Sequence, residues 1–139
     1  MPDLQDQPSS LGRLGRIRHR AQFDVVLAQR PFAKTMHFAL HLAPTDAHEG
    51  KDGLFPGGGV WLGALLPKRW ARRAVTRNTI KRQIYVVSDL FVQRLPCAAY
   101  VVRLRATFDR RQFISATSEP LKMAVRQELE QLFERGARA

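Results

Sequence analysis

The sequence predicts a single-domain α/β (α+β) sandwich, a sheet with helices packed on it, and three observations carry that expectation. First, "MHFALHLA" alternates Met36, Phe38, Leu40 and Leu42 with His37, Ala39, His41 and Ala43, the period of two of a strand whose faces differ. Second, "VWLGALL" at 60–66 and "AAYVVRL" at 98–104 are continuous apolar runs of strand length, suited to a sheet that is covered. Third, a helical pattern lies between those two runs and another closes the chain, so strand, helix, strand, helix follow in order. At 139 residues the chain suits one domain, large enough to bury roughly two-thirds of its unfolded surface.

Taken in order, "MPDLQDQPSSLG" at 1–12 is polar and turn-rich with no apolar period, which predicts a disordered tail ahead of a domain spanning 13–135. Order begins with the basic run "RLGRIRHR". In "RAQFDVVLAQR", Phe23, Val26 and Leu27 fall at helical spacing from Arg20 until Pro31 stops the pattern, predicting a short first helix. A strand follows at 35–43. The stretch 44–59 is rich in Gly, Pro and Asp and reads as a long surface loop, an insertion too polar to pack. Its triple glycine lacks the Lys-Ser/Thr and helix start that a phosphate-cradling loop needs. After the two apolar strands and the helix between them, Leu121, Val125, Leu129 and Leu132, with Phe133 alongside, mark a closing amphipathic helix over 120–135.

Charge points to a partner. With 23 Lys and Arg against 12 Asp and Glu, the formal charge is +11, which favours association with a polyanion. The surplus is concentrated in "KRWARRAVTRNTIKRQIY", 68–85, inside a span from Asp52 to Asp89 that contains no other acid. On a helix, Arg77, Asn78, Lys81, Arg82 and Tyr85 fall within an arc of roughly 140°, and Ile80, Ile84, Val87 and Phe91 on a separate arc. The apolar arc packs and the cationic arc faces out. Guanidinium forks suit phosphate, and Asn78 can serve a base edge or a 2′-hydroxyl, so RNA is the favoured polyanion. Phe23 and Phe38 could stack unpaired bases or could be core, and Tyr85, continuing the cationic arc, is a stacking candidate.

Other classes find little support. No apolar run approaches the roughly 18–20 residues that span a bilayer, so the expectation is a soluble, cytoplasmic protein with no membrane partner. The single cysteine, Cys97, has neither a disulfide partner nor metal-ligand companions and reads as a small apolar filler. Acidic residues are scattered singly, without the clustered carboxylates of two-metal hydrolysis, so no catalytic and no metal-ligating residue is assigned. His37 and His41 stand four apart, but on a strand that separates them by about 13 Å.

The basic stretch resembles the signature of the bacterial ribonuclease P protein component, a Lys-Lys/Arg pair followed by Arg-Arg-Ala and then Arg-Asn-x-Ile-Lys-Arg. It is matched through Lys68, Arg69, Arg72, Arg73, Ala74, Arg77, Asn78, Ile80, Lys81 and Arg82. "LGRLGRIRHRAQFDVVL", "HFALHL" and "WLGALLPKR" are similar to its first helix, first long strand and the strand before the signature. Thr79 and Tyr85 stand where that family commonly has arginines, and Leu27 where a second aromatic is usual.

The resemblance implies a central, mostly antiparallel four-stranded sheet packed by helices, with a left-handed βαβ crossover, as in domain 2 of ribosomal protein S5. It implies an accessory subunit of an endoribonuclease whose catalytic RNA holds the Mg²⁺ ions and removes the 5′ leader of precursor tRNA. The protein would be a monomer alone and bind that RNA 1:1. Carried over by position, Lys68, Arg69, Arg72, Arg73, Arg77, Asn78, Lys81, Arg82 and Tyr85 would contact RNA, and Arg16, Arg18, Arg20, Phe23 and Phe38 would line a cleft for the leader. The rival reading is a structural RNA-binding protein of ribosomal type with no part in cleavage.

Overall fold

Eight elements follow in chain order: β1 (Leu14–Arg16), α1 (Arg20–Leu27), β2 (Ala33–Lys34), β3 (Phe38–Pro44), β4 (Val60–Leu65), α2 (Ala74–Phe91), β5 (Ala98–Leu104) and α3 (Glu119–Gly136). They belong to a computed structural model that describes residues 14–45, 53–108 and 119–139. The expected tail at 1–12 and the stretch 46–52 of the expected loop lie outside the described residues.

The sheet has five strands in the order β1-β4-β5-β3-β2, where four were expected. Nor is it mostly antiparallel: β1 with β4 and β4 with β5 run parallel, while β5 with β3 and β3 with β2 run antiparallel. The extra strand count comes from edges too short to show a period, with three residues in β1 and two in β2. The parallel pair β4 and β5 follows from the helix between them, which returns the chain to the same end of the sheet.

Strand β5 is central, and its apolar run is explained by cover on both faces. Leu40, Leu62, Tyr100, Val102 and Leu104 share one core with Ile80, Ile84 and Val87 of α2 and Leu121, Val125, Leu129 and Leu132 of α3. Ala43, Ala99 and Val101 point the other way, into a smaller core with Ile17, Val26 and Phe55 under α1. The sheet is thus thickly covered by two helices on one face and by a short helix on the other.

Part of the expected surface loop packs after all. Phe55 is fully buried and sits edge-on to Trp61, with ring centroids 5.7 Å apart. Gln22 Nε2 on α1 donates to the Leu54 carbonyl at 2.7 Å, and Trp61 Nε1 donates to that of Gly58 at 2.7 Å. The glycines at 57, 58 and 59 all take positive φ, 80°, 60° and 79°, a conformation that side chains resist, and so fold the apolar Leu54-Phe55 pair back onto the sheet. On the opposite edge, Glu128 of α3 pins the β2–β3 turn. Its Oε1 accepts from the Thr35 hydroxyl at 2.6 Å and the His37 backbone N–H at 2.9 Å, and its Oε2 meets His37 Nδ1 at 2.5 Å.

Candidate nucleic-acid interface

α2 divides its faces as the spacing predicts. Ile80, Ile84, Val87 and Phe91 are buried, whereas Asn78, Lys81 and Arg82 are exposed. The helix begins at Ala74 with no acid in its first turn and no side-chain cap, so the unsatisfied N–H groups at its positive end add to the charge of Arg72 and Arg73 beside it. Lys68 and Arg69 are exposed in the loop ahead.

Two of the expected RNA contacts have other work. Arg77 is partly buried, and its Nη1 donates to the carbonyls of Ala71 at 3.0 Å and Arg72 at 2.8 Å, so it shapes the turn that presents Arg72 and Arg73. Tyr85 is partly buried beneath Arg16, whose guanidinium lies 4.0 Å from the ring centroid. Burial pushes the Tyr85 hydroxyl above its ordinary pKa, against the opposing pull of Arg16 and Arg18. Thr79 is buried, donating its hydroxyl to the Val75 carbonyl at 2.9 Å, which keeps that position out of any surface contact.

Arg16 links two open grooves. One, of about 710 Å³, is lined by Leu14, Arg16, Asn78, Lys81, Arg82 and Tyr85, together with Asp89. The other, of about 730 Å³, runs between β1, the start of α1 and the 53–59 segment, past Arg16, Arg18, His19, Gln22 and Trp61. Edge strand β1 is the ridge between them, so a nucleic acid in each groove would share Arg16. Arg18 is exposed, and Arg20, also exposed, is 4.0 Å from Asp24.

The two candidate aromatics part company. Phe23 is partly buried on α1 and rests on Gly63, where an added Cβ would come within 2.8 Å of its ring and 2.9 Å of Ile17. Phe38 is fully buried on the opposite face of the sheet, within the α2–α3 core, and cannot offer a ring to a base. The strand's period of two explains the error: it puts Phe38 on one face without saying which face α1 leaves open. Cys97, expected inside, is exposed.

The structure adds residues that were not singled out. Arg103 interrupts the apolar run of β5 and lies on the α1 face, in register with Leu65 on one side and Ala39 on the other. Its Nε donates to His41 Nε2 at 3.2 Å, and His41 Nδ1 donates to the Gln29 carbonyl at 2.9 Å. Burial, and then Arg103 and Lys34, hold the His41 pKa below its ordinary value despite the Gln29 hydrogen bond, favouring the neutral ring that this geometry requires. A charge within an otherwise apolar central strand is the signal that marks Arg103 in the sequence. Trp61, also unforeseen, shows one side of its ring in the second groove.

Among the described residues no three His, Cys, Asp or Glu side chains gather to hold a metal ion. No helix among them is long and apolar enough to cross a membrane. His37 and His41 form no pair: His37 is bound to Glu128 in the β2–β3 turn, and His41 is buried on β3.

Comparison with known proteins gives a consistent set. The family model described as ribonuclease P matches residues 11–135. The ribonuclease P protein component of Burkholderia pseudomallei (strain 1106a) is 33% identical over 129 residues, covering 91% of this chain and 85% of the relative. That of Paraburkholderia xenovorans is 30% identical over 131 residues, covering 91% and 83%. Among solved structures, the Staphylococcus aureus RNase P protein superposes with a TM-score of 0.63 at 17% identity, covering 86% of this chain and 92% of that one. The Thermotoga maritima RNase P protein does so with a TM-score of 0.60 at 18% identity, covering 86% and 96%.

Proposed function

This chain belongs to the ribonuclease P protein family, and from that premise we propose that it is the accessory protein subunit that brings precursor tRNA to the catalytic RNA in the cytoplasm. The single observation that carries the reading is the pair of cation-lined grooves meeting at Arg16, one floored by the basic helix and one beside α1. Each suits a different RNA. The α2 groove presents Arg16, Lys81 and Arg82 at spacings fixed by a helix and a strand, which suits the folded backbone of the catalytic RNA. The α1 side offers part-exposed aromatic surface at Phe23 and Trp61 with Arg18 alongside, the mixture that holds an unpaired strand with little sequence preference. We assign the 5′ leader to that side.

Hydrolysis of the leader bond is assigned to the RNA subunit together with Mg²⁺, as membership of this family implies. The protein's part is electrostatic and positional. Two RNAs repel, and a +11 chain set between them lowers the Mg²⁺ needed to bring them together. In the 1:1 complex the leader contacts would favour precursor over mature tRNA and so speed both capture of substrate and release of product.

The test is cleavage of a precursor tRNA by the cognate catalytic RNA at low Mg²⁺, with and without the protein, beside the protein alone. A large gain in rate for the combination and no cleavage by the protein alone supports the reading. RNA binding without any gain at any Mg²⁺ concentration would instead indicate a structural RNA-binding protein.

A further inference from the structure

We propose that Arg103, aimed by His41, is a backbone-phosphate contact for the single-stranded leader on the sheet face beside α1; the inference rests on the function proposed above. Arg103 is a partly buried cation on the central strand, and no carboxylate among the described residues pairs with it. Such a charge is normally neutralised by an acid or left in open water. Here the only hydrogen-bond partner of its guanidinium among the described residues is the imidazole of His41, fixed in turn by the Gln29 carbonyl just beyond α1.

The choice of partner matters chemically. A glutamate in place of His41 would hold the guanidinium but cancel its charge. A neutral imidazole accepts one hydrogen bond from Nε, sets the plane of the guanidinium, and leaves the full positive charge and both terminal nitrogens to an outside anion. The groups facing His41 are the Gln29 carbonyl, Arg103 from β5 and Lys34 from β2, so its surroundings are cationic as well. Along β5, Arg103 is one same-face step, roughly 7 Å, from Val101, which is paired with the Gly63 that supports Phe23. A stacked base on Phe23 and a phosphate on Arg103 can therefore belong to one short stretch of leader.

The arrangement also carries a pH response. Protonation of His41 removes the acceptor and sets a second positive charge against Arg103, which frees the guanidinium from its fixed plane. Because burial lowers the His41 pKa, this occurs below the ordinary histidine range near 6.5.

The experiment is equilibrium binding of the reconstituted holoenzyme to precursor tRNA and to mature tRNA, over a pH series running down from about pH 7.5 for as long as the fold persists. Arg103→Met, which keeps the apolar stem, should weaken precursor binding about tenfold and leave mature tRNA binding unchanged, as expected for loss of one charge-assisted contact. His41→Phe, which fills the site without an acceptor, should lose a similar part of the preference for precursor. His41→Gln, which retains an acceptor but does not titrate, should keep that preference and hold it as pH falls, while that of the native protein declines. Equal losses for precursor and mature tRNA, or weaker binding of the catalytic RNA alone by Arg103→Met, would place the contact elsewhere and overturn the proposal. So would a native preference for precursor that declines with falling pH no more than that of His41→Gln. Failure of the native protein to stimulate cleavage is a separate result and would remove the accessory-subunit reading itself.

Discussion

Gly63 and Phe23 act as one device. The missing Cβ of Gly63 is what lets α1 lie against β4 with the part-buried Phe23 ring in contact with the strand. Gly63→Ala is expected to push that ring and Ile17 outward and lower stability by about 1–3 kcal/mol, read as a fall in Tm. The same variant should reduce the preference for precursor over mature tRNA, since a displaced ring no longer offers the same stacking surface. His41 gives a second prediction. Its folded pKa lies below the unfolded value, so the stabilisation from keeping it neutral is fully present above about pH 6.5 and declines as pH falls toward the folded pKa. His41→Gln should flatten the slope of stability against pH in that window, as measured by denaturant titrations; an unchanged slope would show that other groups set it. At this scale the sequence was an uneven guide. The cations of 68–82 other than Arg77 were legible because they are exposed wherever the helix sits, whereas Phe23 and Phe38 looked equivalent until the packing put them on opposite faces.

α2 performs two tasks by its two sides, and each can be altered separately. Lys81→Ala and Arg82→Ala should each lower the slope of log affinity against log salt for the catalytic RNA by about 0.7–0.9, one phosphate contact apiece, without changing Tm. Arg77→Lys should behave differently. It keeps the charge but loses the paired donation to Ala71 and Arg72, so RNA affinity should fall with the salt slope nearly unchanged. α3 shows the opposite division. Leu129, fully buried between the sheet and α2, should cost about 2–5 kcal/mol when changed to alanine, whereas Met123, exposed at 60%, should cost almost nothing in thermal denaturation. The amphipathic stripes that predict these helices arise from local spacing, so α3 was readable to within a residue at each end and α2 as a helix between the two apolar strands, though without its ends. The edge strands were not, because two or three residues make no period and join the sheet only through neighbours distant in sequence.

For the molecule as a whole, charge is arranged by side. Glu119, Glu128, Glu130 and Glu134 all lie on α3, where Lys122 meets Glu119 and Arg126 meets Glu130, while Arg94 reaches across to Glu134. Exposed cations are gathered on β1, α2 and the loop before it, at Arg16, Lys68, Arg69, Arg72, Arg73, Lys81 and Arg82. RNA should therefore approach from the β1–α2 edge with α3 turned away. Replacing both Lys122 and Arg126 with glutamine should leave the salt dependence of RNA binding unchanged, a control that removes as much charge as the α2 pair does.

Composition and local spacing by themselves determined that this chain is a basic, sheet-and-helix domain suited to a polyanion, with RNA favoured, because charge balance and apolar period are properties of neighbouring residues. The tertiary structure decided which of the candidate groups share a face. The order β1-β4-β5-β3-β2 sets Arg103 beside His41 although 62 positions separate them, and places α1 over one face so that Phe23 is offered and Phe38 is sealed in. Those are consequences of strand pairing and layer stacking between distant segments, which no local pattern encodes.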